Sequence, residues 1–401
     1  MKICGVVAEY NPFHNGHAFH LAETRARLGA DTAIIAVMSG NYVQRGDFGV
    51  IGKYRRAAMA AQNGADLVIE LPLSAVLSSA EGFAAGAVGM LGALGCVTHL
   101  SFGSECGDLD LLRRAAELSI DRGAIRARMS AGQSFAAALQ AAVSARDPEA
   151  GAVFSSPNNT LAVEYLAALA RHGSPIEPLT IRRAGAAHDS DAPDALPSAS
   201  FVRARILSGD LSACRRVMPP AAFAVLSAAL TCGAAPVHAA ACDRAIVAHL
   251  RRMSAADLYL YITGEDGLQN RLYQAIQSNG TFAAICEAAQ TRRYPLARIR
   301  RALLRAYIDL PGSMDVAPHY LRVLALGPRG RELLRLIGQT SSLPVIVKPA
   351  AERGLPNAVQ PYLAHDVLSD DLFALAQPNP DLHVGGGHYR KTPFCVPEIR
   401  A

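Results

Sequence analysis

The sequence predicts an α/β fold in which a doubly wound parallel sheet is followed by a mainly helical, basic region. Two observations lead to this prediction. In the first half, five short apolar runs alternate with stretches of helical periodicity, as expected when parallel strands are buried on both faces. Beyond residue 211, strand signals nearly vanish and amphipathic helical patterns dominate.

The predicted strands are apolar runs that end at turn residues. They comprise residues 2–8, 31–38, 66–71, 99–102 and 176–183. The predicted helices comprise residues 16–28, 54–63, 79–94 and 159–171, and a helical pattern resumes at Ser198. Ligands of such sheets bind beyond the carboxyl ends of the strands, so we expect the functional residues there.

The chain is long enough for two or three domains, with 401 residues. We predict an α/β domain over 1–210 and a mainly helical region over 211–401, with a loop at Gly185–Pro197 and an irregular tail after 376. The first part has 18 Lys+Arg against 20 Asp+Glu, and the second has 21 against 14. A polyanionic partner is therefore expected to bind mainly to the second part.

The eight cysteines never form a Cys-x-x-Cys pair, which argues against a structural zinc site or a redox pair. Scattered single cysteines are typical of a reducing compartment. The chain reaches Glu9 without the apolar stretch of a signal peptide, and the apolar region 221–242 is interrupted by Gly233 and Pro236. We expect a cytoplasmic protein that does not span a membrane.

The first predicted strand leads directly into the segment EYNPFHNGH, residues 9–17. Gly16 permits close approach of the backbone to a ligand. The helix that begins here directs its N–H groups and positive dipole end to the same place, which favours phosphate. His14 and His17 lie on one side of the first turn and can donate hydrogen bonds to phosphate oxygens, with His20 three residues further on.

The alternative interpretation of these histidines is that they are polar residues of a loop. A metal site would need ligands from distant residues, because no suitable third ligand lies nearby. The strand before the motif and the helix after it favour a phosphate site.

With these residues the sequence resembles the His-x-Gly-His nucleotidyltransferase superfamily, whose fold is Rossmann-like. More narrowly, it is similar to the tRNA(Met) cytidine acetate ligase family over most of the chain. The matching segments are GVVAEYNPFHNGH (5–17), MSGNYVQRGD (38–47), NGADLVIELP (63–72), FGSE (102–105), SPNNTLAVEYL (156–166), IRRAG (181–185), SASFVR (198–203), QTRRYPLARIRRALL (290–304) and YLRVLALGPRGRELL (320–334).

The resemblance implies a reaction in two steps. Acetate attacks the α-phosphate of ATP to form acetyl-adenylate and pyrophosphate. The N4 amine of the wobble cytidine in elongator tRNA(Met) then takes the acetyl group, giving N4-acetylcytidine. No covalent enzyme intermediate and no protein partner is implied, and Mg²⁺ is expected to arrive with ATP.

The resemblance also implies an ATP site, in which His14 and His17 are catalytic. Its residues are Val7, Ala8, Glu9, Tyr10, Asn11, Pro12, Phe13, His14, Asn15, Gly16, His17, His20, Gly103, Asn158, Arg183, Ser198, Ser200 and Arg203. Gly103 is either a turn glycine or a flat surface for adenine or ribose, since it lacks a β-carbon. One of Asn158 and Asn159 is expected to cap a helix while the other reaches the ligand, and the choice stays open.

Two further parts of this site have alternative interpretations. Adjacent strand residues face opposite ways, so only one of Arg182 and Arg183 reaches phosphate, and we favour Arg183. Ser198 either caps a helix or, with Ser200 and Arg203, holds the β- and γ-phosphates.

The segment after the second strand is either a loop that carries charge over the site or a solvated connection. Its polar residues are Gln44, Arg45, Asp47 and Lys53. Glu70 ends an apolar strand, where an unpaired carboxylate is costly, and therefore predicts a structural salt bridge.

Residues 290–308 contain six arginines and no acid. Arg298, Arg301 and Arg305 form a basic ridge at helical spacing beside an apolar stripe. With Arg292 and Arg293, they are predicted to contact the RNA backbone, the alternative being a solvated face. The local candidates for base stacking are Tyr294 and Tyr307.

Two rival functions stay open at this point. An adenylyltransferase for a small phosphorylated metabolite needs the same ATP residues but not the basic half, so it predicts unchanged activity after truncation near residue 210. A non-catalytic RNA-binding protein with residual nucleotide affinity predicts that His17→Ala has no effect in the cell.

Overall fold

The structure is a computed structural model that describes residues 1–120, 122–183, 198–264 and 267–397. The loop predicted at Gly185–Pro197 lies wholly outside the described residues, so its prediction is untested.

Ten strands occur within the described residues. They are β1 (Ile3–Ala8), β2 (Ala33–Ser39), β3 (Tyr42–Val43), β4 (Asp47–Phe48), β5 (Leu67–Leu71), β6 (His99–Ser104), β7 (Glu177–Arg182), β8 (Leu321–Leu326), β9 (Val345–Ile346) and β10 (Phe394–Cys395).

Helices surround the strands and make up most of the second half. They are α1 (Asn15–Leu28), α2 (Lys53–Gln62), α3 (Leu73–Val76), α4 (Ala80–Ala93), α5 (Leu109–Leu118), α6 (Arg122–Ser130), α7 (Phe135–Ser144), α8 (Pro148–Ala152), α9 (Pro157–Arg171), α10 (Ala199–Leu207), α11 (Leu211–Val217), α12 (Pro220–Thr231), α13 (Asp243–Leu250), α14 (Ala255–Tyr259), α15 (Leu268–Ser278), α16 (Phe282–Ala289), α17 (Leu296–Tyr307), α18 (Gly330–Thr340), α19 (Gln360–Ala374) and α20 (Gly387–Arg390).

The main sheet has the order β10-β8-β5-β2-β1-β6-β7, with β9 beside β8. The five strands predicted from the sequence are confirmed, and they run parallel to one another. The chain builds one side of the sheet through β2 and β5 and the other through β6 and β7. The order therefore reverses at β1 and β6, where such sheets bind ligands.

Two layers of helices cover this sheet, which confirms the doubly wound α/β fold. Alternate strand residues point to opposite layers: Ile3 and Ile35 pack with α4, α5 and α9, whereas Val6 and Ile34 pack with α1, α2 and α12. A third apolar core joins the helices between α13 and α17. None of the described helices is long and apolar enough to cross a membrane. All eight cysteines are free thiols.

The second half of the chain completes the sheet, which the sequence analysis did not predict. β8 pairs antiparallel with β5, with Leu67 opposite Leu326, and all six of its residues are buried. β10 then pairs parallel with β8. The expectation that strands nearly vanish beyond residue 211 is wrong for β8, which lies next to the edge strand β10 and is wholly buried. The domain division at residue 210 stays a prediction, and the sheet contains strands from both sides of it.

Buried ion pairs fasten the C-terminal segment to the sheet. The Lys53 Nζ lies 2.8 Å from Glu70 Oε1 on β5 and 2.8 Å from Asp370 Oδ1 on α19. Arg322 of β8 pairs with Glu352 at 2.6 Å. The structural salt bridge predicted for Glu70 is confirmed. Both interpretations of Lys53 are wrong, because its side chain is only 1% exposed and is held by these carboxylates.

We predict that Lys53→Met destabilises the protein by about 3–5 kcal/mol, because the carboxylates of Glu70 and Asp370 would stay buried without their cation. Urea denaturation followed by circular dichroism measures this change. Arg113→Met, which removes an exposed pair with Asp110, is the control and should cost less than about 1 kcal/mol. Equal losses in the two variants would contradict the structural role of Lys53.

Candidate active site

A cavity of about 350 Å³ opens at the carboxyl ends of β1, β6 and β7. Most of the residues that the sequence analysis assigned to an ATP site line it. They are Val7, Ala8, Glu9, Tyr10, Asn11, His14, Gly16, His17, His20, Gly103, Asn158, Arg183, Ser198, Ser200 and Arg203. Residues far apart in the chain thus converge on one cavity, at the point where the strand order reverses.

Three residues of the predicted site, Pro12, Phe13 and Asn15, do not line the cavity, and their assignment to the ATP site stays a prediction. Pro12 and Phe13 are buried beneath the loop, where the ring of Phe13 packs against Tyr10 and His17. The side chain of Asn15 turns away and donates a hydrogen bond to the carbonyl oxygen of Arg216.

His14 and His17 close the first turn of α1 by reciprocal hydrogen bonds. His14 is the N-cap, and its Nδ1 accepts from the Gly16 N–H at 3.1 Å. The His17 Nδ1 accepts in turn from the His14 N–H at 3.2 Å. This is the geometry of a capping box built from two imidazoles. A ring nitrogen that accepts carries no proton, so each neutral ring holds its proton on Nε2.

The two rings are stacked, with centroids 3.8 Å apart and planes inclined by 26°. The ring of Tyr10 meets the His17 ring edge-on, with centroids 4.9 Å apart, and Tyr10 is only 2% exposed. These contacts fix both imidazoles at the cavity wall. The pair can therefore present two Nε2–H donors beside the N-terminus of α1, which is a suitable arrangement for phosphate oxygens.

The surroundings keep these imidazoles uncharged. Burial, followed by the positive charges of Arg183 and Arg203, lowers the pKa of His14 to about 3. Burial and then the neighbouring histidines and Arg183 hold the pKa of His17 well below its ordinary value. Burial and Arg183 lower the pKa of His20 to about 4. At neutral pH the histidines act as hydrogen-bond donors without carrying charge.

His20 is held from behind by a polar chain. Its Nε2 lies 3.0 Å from Ser101 Oγ on β6, and that hydroxyl lies 2.8 Å from Thr24 Oγ1. Its ring nitrogen is therefore already engaged within the protein. His20 also lines the cavity, but its Nε2 is hydrogen-bonded within the protein, whereas His14 and His17 are hydrogen-bonded through Nδ1.

Asn158 and Asn159 have distinct positions, although neither caps α9, whose N-cap is Ser156. The carboxylate of Glu105 accepts from the backbone N–H groups of both asparagines and from Asn158 Nδ2 at 2.6 Å. Asn159 is buried and its Oδ1 accepts from the Glu105 N–H. Asn158 lines the cavity, whereas Asn159 does not. The geometry favours Asn158 as the ligand contact.

Arg183 lines the cavity, and the preference for it over Arg182 stays a prediction. Its charge acts on all three histidines of the site, and a β-carbon on Gly103 would lie 3.3 Å from its Cγ. Arg182 also lines the cavity, but its stem packs against the turn at Gly107. The absence of a side chain at position 103 therefore leaves space for Arg183 beside the histidines.

The third wall is the start of α10. Ser198 caps this helix, because its Oγ accepts from the Phe201 N–H. A hydroxyl that accepts one hydrogen bond can still donate another, so the contact with phosphate stays a prediction. Ser200 accepts from Arg203 Nη2 at 3.0 Å, and Arg203 Nη1 donates to the Asn11 carbonyl oxygen at 2.9 Å. Arg203 thus connects this wall to the histidine loop and lies at the cavity.

The sequence analysis missed the apolar wall of the cavity, which Phe83, Phe102, Leu161 and Tyr165 contribute. Phe102 could have been found, since it directly precedes Gly103 at the end of a predicted strand. Phe83 and Tyr165 read as ordinary core residues of helices, and nothing in the sequence distinguishes them. The role of Glu105 in organising the asparagines was missed as well.

The predicted basic ridge divides into exposed and internal arginines. Arg292 and Arg293 are exposed, and Arg298 is half-buried and donates to the Thr263 carbonyl oxygen. Arg305 is 3% exposed and donates to the carbonyl oxygens of Leu77 and Pro311, so its predicted contact with RNA is wrong.

Two aromatic residues near the ridge, Tyr294 and Tyr307, also face inward, and Arg301 of the ridge is bonded within the protein. Tyr294 and Tyr307 are 8% and 4% exposed, so the expectation that they stack on bases is wrong. Arg301 is half-buried and its Nη1 donates to the Gln44 carbonyl oxygen at 3.0 Å, beside the cavity. The Arg301 guanidinium therefore already makes a hydrogen bond within the protein.

No group of three or more His, Cys, Asp or Glu side chains in the described ranges is arranged to hold a metal ion. Of the described acidic residues, Glu9 alone lines the cavity, and its Oε1 accepts from the Gln44 N–H at 2.7 Å.

The fold and the site define a nucleotidyltransferase. The sequence model of the HIGH nucleotidyl transferase family matches residues 1–385. Among curated relatives, a tRNA(Met) cytidine acetate ligase of Halothermothrix orenii is 34% identical over 100% of both chains. One of Acetivibrio thermocellus is 33% identical, covering 97% of this chain and 98% of its own. The chain belongs to the tRNA(Met) cytidine acetate ligase family of the HIGH nucleotidyl transferases.

Solved structures agree with this assignment. Thermotoga maritima TmcAL without ligand matches with a TM-score of 0.92 and 28% identity, covering 99% of this chain and 100% of that chain. The same protein bound with alpha-thio ATP matches with a TM-score of 0.89 and 28% identity, covering 98% of this chain and 99% of that chain.

We predict that His14 and His17 stay neutral, with the proton on Nε2, from pH 8 down to pH 5, because burial and nearby arginines lower the pKa of both. Nitrogen-15 NMR of histidine-labelled protein reports the tautomer and the titration, and the exposed His172 is the internal control. The unfolded state would bind protons near pH 6.5, so these histidines reduce stability as the pH falls below that value. A midpoint near 6.5 for either ring would contradict the prediction.

Proposed function

We propose that this protein is an ATP-dependent ligase that activates acetate as acetyl-adenylate and transfers the acetyl group to N4 of the wobble cytidine in elongator tRNA(Met). The observation that carries the chemistry is the pair of stacked, neutral imidazoles beside the N-terminus of α1. The full-length relatives are named tRNA(Met) cytidine acetate ligase, and this name supports cytidine in tRNA(Met) as the acceptor and acetate as the acid.

In the first step, a carboxylate oxygen of acetate attacks the α-phosphorus of ATP. A new P–O bond forms, the bond between the α-phosphorus and the bridging oxygen breaks, and pyrophosphate leaves. Negative charge grows on the oxygens around the α-phosphorus. The Nε2–H groups of His14 and His17 are proposed to donate to these oxygens, and because they are already oriented they need no rearrangement during the reaction.

The remaining cations are proposed to hold the triphosphate. Arg183 lies next to the histidines, and the Ser198–Arg203 element places two hydroxyls and a guanidinium at the wall formed by the start of α10. Forked guanidinium groups suit a leaving pyrophosphate. The flat surface at Gly103 and the side chain of Asn158 are proposed to contact the nucleoside. Most of the acceleration would come from alignment of the two substrates.

In the second step, the N4 amine of cytidine attacks the acetyl carbonyl carbon. The bond from that carbon to the AMP oxygen breaks, AMP leaves, and the amine loses a proton. The apolar wall would exclude water from the cavity and thereby protect the acetyl-adenylate from hydrolysis. We propose that Mg²⁺ enters with ATP, where it would supply positive charge to the phosphates; Glu9, the acidic residue of the described ranges that lines the cavity, would be the carboxylate available to hold it.

The tRNA is proposed to bind through the exposed arginines before α17, Arg292 and Arg293, with Arg298 beside them. We propose the cytoplasm as the location, because ATP and tRNA are both present there. No protein partner is proposed. The rival adenylyltransferase cannot be tested by truncation at residue 210, because this would remove β8 from the sheet.

We predict that the purified protein exchanges labelled pyrophosphate into ATP only when acetate is present. His17→Ala should lower this exchange about 10²–10³-fold, which is typical of the loss of one donor to a transition-state oxyanion. His172→Ala, at an exposed histidine, is the matched control. Exchange that ignores acetate, or an unchanged rate in His17→Ala, would refute the activation step and favour a rival function.

For the tRNA, we predict that Arg292→Glu with Arg293→Glu weakens tRNA binding and leaves the acetate-dependent exchange unchanged, because exchange requires no tRNA. The slope of log affinity against log salt should fall by about 2, one for each lost phosphate contact. Filter binding at several salt concentrations measures this slope, with Arg113→Glu as the control. An unchanged slope would place the tRNA elsewhere.

Mass spectrometry of tRNA after incubation with labelled acetate should detect the label on cytidine.

A further inference from the structure

The short hairpin of β3 and β4 is part of the cavity wall but has no role in the site described so far. Gln44 and Arg45, between the two strands, line the cavity together with the histidines and Arg203. Burial lowers the pKa of Arg203, the carboxylates of Glu9 and Asp47 raise it, and the positive charge of Arg45 lowers it. Arg45 and Arg203 thus bring guanidinium groups from separate elements to the same cavity.

The hairpin is held on two sides through a single residue. The Gln44 N–H donates to Glu9 Oε1 at the end of β1 at 2.7 Å, and the Gln44 carbonyl oxygen accepts from Arg301 Nη1 on α17 at 3.0 Å. Because both bonds are to the backbone of the residue before Arg45, they determine where the chain carries that guanidinium.

Gly46, on the other side of Arg45, packs directly on α17. Its φ is +75°, and a β-carbon there would lie 2.6 Å from the backbone nitrogen of Arg301. No other residue fits this contact without displacing the hairpin. Asp47 and Arg300 form a further ion pair at 3.8 Å across the same contact. The hairpin is thus seated on α17 on both sides of its tip.

We propose that Arg45 is an additional contact of the ATP triphosphate and that Arg301 is a positioning residue that places Arg45 there. Arg45 and Arg203 line the same cavity from separate elements, so a polyanion bound there can interact with both positive charges. The β- and γ-phosphates, which Arg203 is proposed to hold, supply that charge. Arg301 thus has a function in ATP binding, in place of the RNA contact predicted from the sequence.

This inference rests on the proposed use of ATP but not on acetate or tRNA. Its first test is calorimetry of nucleotide binding. Arg45→Ala should weaken ATP binding about 10- to 100-fold and leave AMP binding within twofold, because AMP lacks the β- and γ-phosphates. Arg45→Lys should recover part of the loss. Arg244→Ala, an exposed arginine on α13, is the matched control and should change neither affinity.

The second test separates positioning from general stability. Arg301→Met should weaken ATP binding about 5- to 10-fold in the wild-type background and have no further effect when combined with Arg45→Ala, because it acts through Arg45. Additive losses, or a loss for AMP as large as for ATP, would overturn the positioning role. Thermal unfolding of each variant checks that the fold is intact.

An unchanged ATP affinity in Arg45→Ala would overturn the triphosphate contact. If the ATP affinity of that variant were unchanged but its tRNA acetylation reduced, Arg45 would be reassigned to the RNA. Failure of the proposed function is a separate result. If exchange by the wild-type protein ignores acetate, the calorimetric difference between ATP and AMP still decides the role of Arg45.

Discussion

The site depends on the reciprocal hydrogen bonds between two imidazoles and the first turn of α1. Each Nδ1 satisfies a backbone N–H that the helix end would otherwise leave unpaired. This bond fixes the tautomer, the ring orientation and the neutral state of the ring together. The same contacts that begin the helix therefore prepare the Nε2–H donors, and the repulsion from Arg183 makes protonation of either ring still less favourable.

The sheet places these donors where a triphosphate can reach them. Because β1 lies at the reversal of strand order, the loops after β1, β6 and β7 converge on one cavity. Each wall is then stabilised by a bond to another wall: Arg203 to the histidine loop, and Glu105 to the start of α9. The cavity is a cooperative arrangement, in which no single element contains the site.

The second half of the chain has a structural part in this arrangement as well as its proposed part in RNA binding. β8 extends the sheet beyond β5, and Lys53 is buried between a carboxylate of the sheet and one of α19. α17 supports the hairpin at the cavity through Arg301. The catalytic region and the helical region thus share an interior, so truncation between them would remove β8 from the sheet.

The five parallel strands, the helices between them and the histidine turn followed from the sequence, because local apolar periodicity and a Gly-containing turn are properties of neighbouring residues. The choice of Asn158 over Asn159 and the internal position of Arg305 required the tertiary structure. So did the presence of β8, because a short apolar run such as LRVLAL fits a buried strand or a buried helix, and its pairing with β5 decides between them. A charged side chain looks the same in sequence whether it faces water or a buried carbonyl, and long-range packing alone decides between these.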